Sequence, residues 1–131
     1  KLPETLLSWR DHENRETRTN RSLTKTRLFA QKARFFRQHE QLAKNPLMVF
    51  GVGRFGKALA DALLKENLDL RGFVDPYDRY TRSTVRNLPV LSLADPVPPE
   101  TALINAYPVS GNAPAHVTRY LERRIRLNWV L

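Results

Sequence analysis

The sequence predicts an α/β fold with a mostly parallel β-sheet. Short, continuous apolar segments alternate with amphipathic segments along residues 46–131. This pattern is typical of strands that are buried on both faces and of the helices that cover them. A glycine-rich turn follows the first apolar segment, with the sequence Gly51-Val52-Gly53-Arg54-Phe55-Gly56. We therefore expect a strand–helix–strand unit over residues 47–75.

Residues 1–45 are predicted to precede this domain as the tail of another domain. Residues 1–21 are polar and lack a periodic apolar signal, which favours an irregular arm. Residues 22–44 are predicted to form one amphipathic helix with Ser22 as its N-cap. Its apolar stripe has helical spacing and contains Phe29, Ala33 and Phe36. The helix should end before Pro46, because a proline disfavours the α conformation in the residue before it.

The domain over residues 46–131 should contain five strands and two helices. The predicted strands are 47–50, 70–74, 90–91, 102–106 and 127–131. The predicted helices are 57–65 and 114 to about 126. Residues 76–87 are polar and are predicted to form a loop. Three prolines within residues 95–99 exclude a helix interior or a central strand there.

The glycine turn has the pattern of a dinucleotide-binding turn. Gly51 permits the tight bend, Gly53 lets a pyrophosphate approach the backbone, and Gly56 lets the helix lie close to the strand. The N–H groups at the start of the helix, together with its dipole, attract an anion. The fold class is therefore predicted to be Rossmann-like, with three layers.

Three more residues complete the predicted nucleotide-binding set. Asp75 ends the second strand, 24 positions after the first glycine of the turn. This is near the roughly 20-residue spacing at which an acid accepts hydrogen bonds from ribose hydroxyls. Arg54 could add positive charge at the phosphates, and Phe55 occupies the same turn. Whether these two side chains leave the turn open decides whether a ligand can enter it.

Two alternatives stay open for these residues and for the loop after them. The glycines could pack a helix on a strand with no ligand, as a structural remnant of a binding turn. Beyond Asp75, Arg79 and Arg82 could meet a phosphate on the ribose, or they could be solvated loop residues.

The net charge of +9 is concentrated in the N-terminal third of the chain. Residues 1–45 hold 11 Lys and Arg against 5 Asp and Glu, a net charge of +6. No recognised nucleic-acid motif accompanies this charge, so we do not expect nucleic acid as a partner. A solvated basic face, or contact with an acidic partner domain, is the expected explanation.

Composition and motif spacing also exclude several kinds of site and segment. The chain has no Cys, which rules out disulfides and thiolate metal sites. No apolar run approaches the ~20 residues that a transmembrane helix needs. We predict no metal ligands, because no two His residues have metal-binding spacing. No catalytic set is visible either, so no catalytic residue is predicted.

Two stretches of the sequence resemble a known family. Residues 2–12 read LPETLLSWRDH, which is similar to the segment that closes the catalytic domain of bacterial family 2 glycosyltransferases. Residues 48–57, 72–75 and 88–90 read MVFGVGRFGK, GFVD and LPV. They resemble the small Rossmann-like domain appended to some of those enzymes. They are also similar to the N-terminal domains of sialic-acid-type acyltransferases and nucleotide-sugar epimerases.

The resemblance implies that this chain is the C-terminal portion of a glycosyltransferase. Its partner would be a preceding GT-A catalytic domain, which uses a nucleotide-diphosphate sugar and holds a divalent metal on a D-x-D motif. The chain lacks that motif, because Asp75-Pro76-Tyr77-Asp78 has the wrong spacing. His12 matches a late His that approaches the metal or diphosphate in some relatives. We therefore expect no sugar transfer from this chain alone.

Three functions follow from these observations. The first is an accessory domain that binds an NAD-like dinucleotide or a UDP-sugar. The second is a structural or protein-interaction module with a vestigial glycine turn, for which a homodimer is one arrangement. The third is a small NAD(P)-dependent oxidoreductase or redox-sensing domain. For each of them we expect a cytoplasmic location, with the inner face of the membrane as an alternative.

Overall fold

The computed structural model describes residues 25–106 and 114–124 as an α/β fold. Its helices are α1 (Lys25–Gln38), α2 (Glu40–Lys44), α3 (Arg54–Lys65) and α4 (Ala115–Arg124). Its strands are β1 (Leu47–Phe50), β2 (Leu70–Val74), β3 (Thr84–Val85), β4 (Leu88–Leu91) and β5 (Ala102–Asn105). Within the described residues, no helix combines the length and the apolar composition that a membrane crossing requires.

The five strands form one sheet in the order β3-β4-β2-β1-β5. Each neighbouring pair is parallel except β3 with β4. In register, Phe50 at the end of β1 lies opposite Val74 of β2 and Asn105 of β5. The carboxyl ends of these three strands therefore meet at one edge of the sheet. The predicted α/β class with a mostly parallel sheet is confirmed.

Helices cover both faces of the sheet because β1 is apolar on both sides. Leu47 and Val49 join a buried cluster with residues of α1 and α3. Met48 and Phe50 join a second buried cluster that includes Val117 of α4. All four β1 side chains are at most 3% exposed, which explains why the strand is a continuous apolar run.

The prediction of one helix over residues 22–44 is wrong, because the helix breaks at His39. His39 has an extended backbone (φ −85°, ψ 108°) and stands at the N-cap of α2. In a continuous helix, the six residues from Phe36 to Leu42 would give about 600° of rotation, which is not close to a whole number of turns. Leu42 would therefore point away from the buried stripe. The break turns Leu42 into the core, where it is 4% exposed. The proposed N-cap, Ser22, and the predicted arm lie outside the described residues.

Other boundaries differ because of local backbone geometry. The loop predicted over residues 76–87 is wrong at its end, where β3 pairs with β4 as a hairpin. Arg86 and Asn87 join the two strands with φ of 57° and 60°, the left-handed pair of a type I′ turn. The helix after the glycine turn begins at Arg54, three residues earlier than predicted. The predicted last strand, residues 127–131, lies outside the described residues.

Candidate functional site

The glycine turn lies at the carboxyl end of β1, where the backbone bends sharply. Gly51 has φ of 100°, a left-handed conformation that side chains rarely adopt. Its N–H donates to the Val74 carbonyl at 2.9 Å, which ties the bend to β2. Gly53 then forms the N-cap of α3. The first glycine is therefore required by the bend itself.

Gly56 and Gly53 have different surroundings. A Cβ atom on Gly56 would lie 1.8 Å from the Gly51 carbonyl oxygen and 3.5 Å from Val49 Cγ1. Only a glycine lets α3 pack this closely to the end of β1. A Cβ atom on Gly53 would meet nothing within 4 Å. Packing therefore explains Gly56, whereas Gly53 faces open space.

A cavity of about 320 Å³ opens beside the glycine turn. Its described lining consists of Gly51, Val52, Gly53, Phe55, Asp75, Pro76, Tyr77, Arg79, Tyr80 and Ala106. The volume is at the lower end of the range for small-molecule sites, about 300–1,000 Å³. The cavity lies where β1 has β2 on one side and the later strand β5 on the other. Open α/β sheets bind ligands at such switch points.

Four of the six predicted binding residues line this cavity, namely Gly51, Gly53, Phe55 and Asp75. Arg54 and Gly56 are outside its lining. Phe55 is half-buried, and its ring centroid lies 6.4 Å from that of Phe29 on α1. The exposed Arg54 has its guanidinium carbon 5.1 Å from the Phe55 ring centroid. Gly53 is nevertheless exposed and lines the cavity, so these two side chains leave the turn open.

Asp75 organises the loop that forms the other wall. Its carboxylate is buried at the end of β2 and accepts two backbone hydrogen bonds. Oδ1 accepts the N–H of Tyr77 at 3.0 Å, and Oδ2 accepts the N–H of Tyr80 at 2.7 Å. The Asp75 N–H donates to the Leu91 carbonyl of β4 at 2.8 Å. One side chain thus fixes residues 76–80 beside the cavity.

Sequence reasoning missed the aromatic part of this wall. Tyr77 and Tyr80 are 39% and 43% exposed, and both line the cavity. In the sequence they stand before and after Arg79. The sequence feature that could have predicted them is their position just after β2, which ends at the same edge of the sheet as the glycine turn. Arg79 lines the cavity, whereas Arg82 does not. Ala106 lies at the cavity because it follows β5, which is next to β1 in the sheet. The local sequence around Ala106 does not encode this strand order.

Three cations border the site, and each lies over an aromatic ring. Arg54 lies over Phe55, Lys57 over Tyr80 at 5.2 Å, and Arg79 over Tyr77 at 5.5 Å. Among the described residues, no carboxylate lies within 4 Å of these cationic groups. Their charge is therefore available to an anion at the cavity.

Several cations elsewhere on the domain pair with carboxylates. Arg86 donates from Nε and Nη2 to the Asp61 carboxylate of α3, at 2.6 and 2.9 Å. These bonds and the charge of Asp61 raise the pKa of Arg86. Arg34 and Arg37 of α1 reach Glu66 at 3.5 and 3.6 Å. These pairs link structural elements to one another.

The described residues contain no group of three or more His, Asp or Glu that could hold a metal ion. His39 and His116 are exposed. His12 lies outside the described residues. Among the described residues, the groups at or beside the cavity are backbone N–H groups, three cations, one carboxylate and aromatic rings.

Comparisons with known proteins add no relative to this picture. No family model, no curated protein and no solved structure matches the chain.

Proposed function

We propose that residues 46–131 form a Rossmann-like domain that binds a nucleotide or nucleotide-sugar. The diphosphate would lie at Gly51 and Gly53, and the nucleoside would extend toward Asp75 and its loop. In this proposal the domain is an accessory part of a glycosyltransferase and does not transfer sugar itself. The ligand class is an NAD-like dinucleotide or a UDP-sugar.

The strand order supports the finer fold assignment. The parallel strands, taken in chain order, are β1, β2, β4 and β5, and their order across the sheet is β4-β2-β1-β5. This is the 3-2-1-4 order in which a Rossmann sheet begins. The connection from β2 to β4 contains the short strand β3, which forms a hairpin with β4, in place of a helix. The domain would therefore be a reduced form of that fold.

The open side of the glycine turn is the observation that carries the proposal. A turn that serves only to pack a helix on a strand needs Gly51 and Gly56 but has no requirement at Gly53. Here Gly53 is exposed, lines the cavity and would tolerate a Cβ atom without contact. The N–H groups at the start of α3 lie beside it, and the N-terminus of a helix favours an anion.

The glycosyltransferase context depends on the resemblance of residues 2–12 and of the glycine-turn segment. The partner would be a GT-A catalytic domain that supplies the metal site and the transfer chemistry. Such a protein would act in the cytoplasm or at the inner face of the membrane. Nucleic acid has no part in this proposal.

Isothermal titration of the 131-residue chain with NAD⁺, UDP and UDP-sugars tests the proposal. We expect at least one of them to bind with a dissociation constant below about 1 mM, near −4 kcal/mol. Gly53→Val should weaken that binding at least about tenfold while it leaves the fold intact, because it fills only open space beside the turn. Ala94→Val, at an exposed site outside the described cavity lining, is the control and should bind normally.

Absence of binding by all of these ligands at 1 mM would remove the proposal and leave the structural interpretation of the turn. Equal binding by the Gly53→Val variant would place the ligand elsewhere on the chain. Circular dichroism of each variant separates loss of binding from loss of fold.

A structural or interaction module is the second candidate, and the outer face of α1 favours it. Leu28 and Phe35 are 44% and 45% exposed. They are seven residues apart and so lie on one face of the helix. This face would meet a preceding domain or a second copy of the chain. A concentration-dependent dimer would support the homodimer if the double variant Leu28→Ser with Phe35→Ser dissociates it. A chain that is monomeric at all concentrations would count against the homodimer.

A further inference from the structure

Among the described residues that line the cavity, one exposed side chain is charged, and its charge is positive. Of the ten described lining residues, two are charged, Asp75 and Arg79. Asp75 is only 3% exposed, whereas Arg79 is exposed. A ligand group in the cavity therefore reaches the guanidinium more readily than the carboxylate.

Asp75 is already engaged by its own loop. Each of its oxygens accepts a backbone N–H, from Tyr77 and from Tyr80. Two such bonds stabilise the negative charge and turn it toward the loop backbone. A solvated acid at the end of the second strand would repel a phosphate on the ribose. The buried Asp75 is instead a positioning residue, which places the loop and with it Arg79.

The Arg79 side chain is oriented but unpaired with any described carboxylate. Its guanidinium carbon lies 5.5 Å from the Tyr77 ring centroid. A cation–π contact of this kind restrains the guanidinium while its N–H donors stay available. Arginine presents these donors as a fork that matches two phosphate oxygens. The arrangement is suited to a phosphate dianion at the mouth of the cavity.

We infer that the cavity selects a nucleotide with a phosphate on its ribose, and that Arg79 is the residue that makes the selection. This inference rests on the proposed function, since it requires a nucleotide with its diphosphate at Gly51 and Gly53. From there the ribose extends toward the end of β2, where Asp75 and Arg79 lie. Lys57, over the ring of Tyr80, adds positive charge at the same rim.

Titration of the 131-residue chain with NAD⁺ and NADP⁺ tests the inference, because the two differ by one ribose phosphate. The chain should bind NADP⁺ about tenfold more tightly, as expected for one charge-assisted phosphate contact. Arg79→Gln should abolish this preference and leave the affinity for NAD⁺ within about twofold. Arg82→Gln makes the same charge change in the same loop, outside the cavity lining, and should keep the preference.

Equal affinity for NAD⁺ and NADP⁺ in the unmodified chain would overturn the inference. If Arg82→Gln lost the preference for NADP⁺ as fully as Arg79→Gln, the inference would also be overturned, because the preference would then arise from the overall positive charge. Binding of UDP or a UDP-sugar without binding of NADP⁺ would also overturn it and leave the proposed function standing. Failure of every nucleotide to bind would remove both.

Discussion

The two sides of the glycine turn are built differently. On the packed side, a Cβ atom on Gly56 would collide with the Gly51 carbonyl oxygen. Farther along α3, Asp61 pairs with Arg86, and Glu66 at the end of the helix pairs with Arg34. On the open side, Gly53 has free space around it, and the cations lie over aromatic rings. Packing therefore explains the glycine on the first side, whereas the glycine on the second side has no packing requirement.

The largest expected effect concerns the glycines themselves. Gly56→Ala should destabilise the fold by about 3 kcal/mol or more, since its Cβ would collide with backbone that cannot move independently. Gly53→Ala should change the free energy of unfolding by less than about 1 kcal/mol, because its φ of −64° suits any residue. Urea denaturation of both variants measures this difference, and equal losses would contradict the distinction between the two sides.

The next effect concerns the loop held by Asp75. Asp75→Asn replaces one acceptor oxygen with an NH₂ group that faces a backbone N–H. We expect a loss of about 1–3 kcal/mol in unfolding free energy, as for a buried donor left without its partner. Amide exchange at Tyr77 and Tyr80 should accelerate more than exchange in β1. Unchanged exchange at both tyrosines would show that the carboxylate does not hold the loop.

The smallest effect concerns the cations. Arg86→Gln removes the paired guanidinium at the hairpin turn and should lower the urea midpoint slightly, because exposed ion pairs contribute little. Arg79→Gln, which removes a cation with no described carboxylate partner, should leave the midpoint unchanged. A larger loss for Arg79→Gln than for Arg86→Gln would mean that Arg79 has a structural role.

Much of the fold could be predicted from the sequence because its signals are local. The apolar runs of β1, β2 and β5 and the glycine spacing mark their elements directly. The break at His39 depends on where Leu42 packs in the core, and the apolar periodicity of α1 does not predict that position. The hairpin at Arg86 and Asn87 was missed because its left-handed turn begins with an arginine, in place of the usual glycine or asparagine.

The candidate site divides in the same way. Glycines and a strand-ending acid form a local pattern, so Gly51, Gly53 and Asp75 were found. Tyr80 and Ala106 come together only through the strand order and the loop that Asp75 holds. Proximity of this kind arises from tertiary structure and has no signature in a short window of sequence.

Amide chemical shifts of the ¹⁵N-labelled chain, followed during titration with NAD⁺ and then with UDP, test whether the open side of the glycine turn binds a nucleotide. We expect saturable shifts at Gly51, Gly53 and Phe55 and in residues 77–80. We also expect unchanged amides in the β3–β4 hairpin, which serves as an internal control. Shifts confined to the hairpin or to α1, or no shift at millimolar ligand, would contradict the claim that the open side of the glycine turn is a nucleotide site.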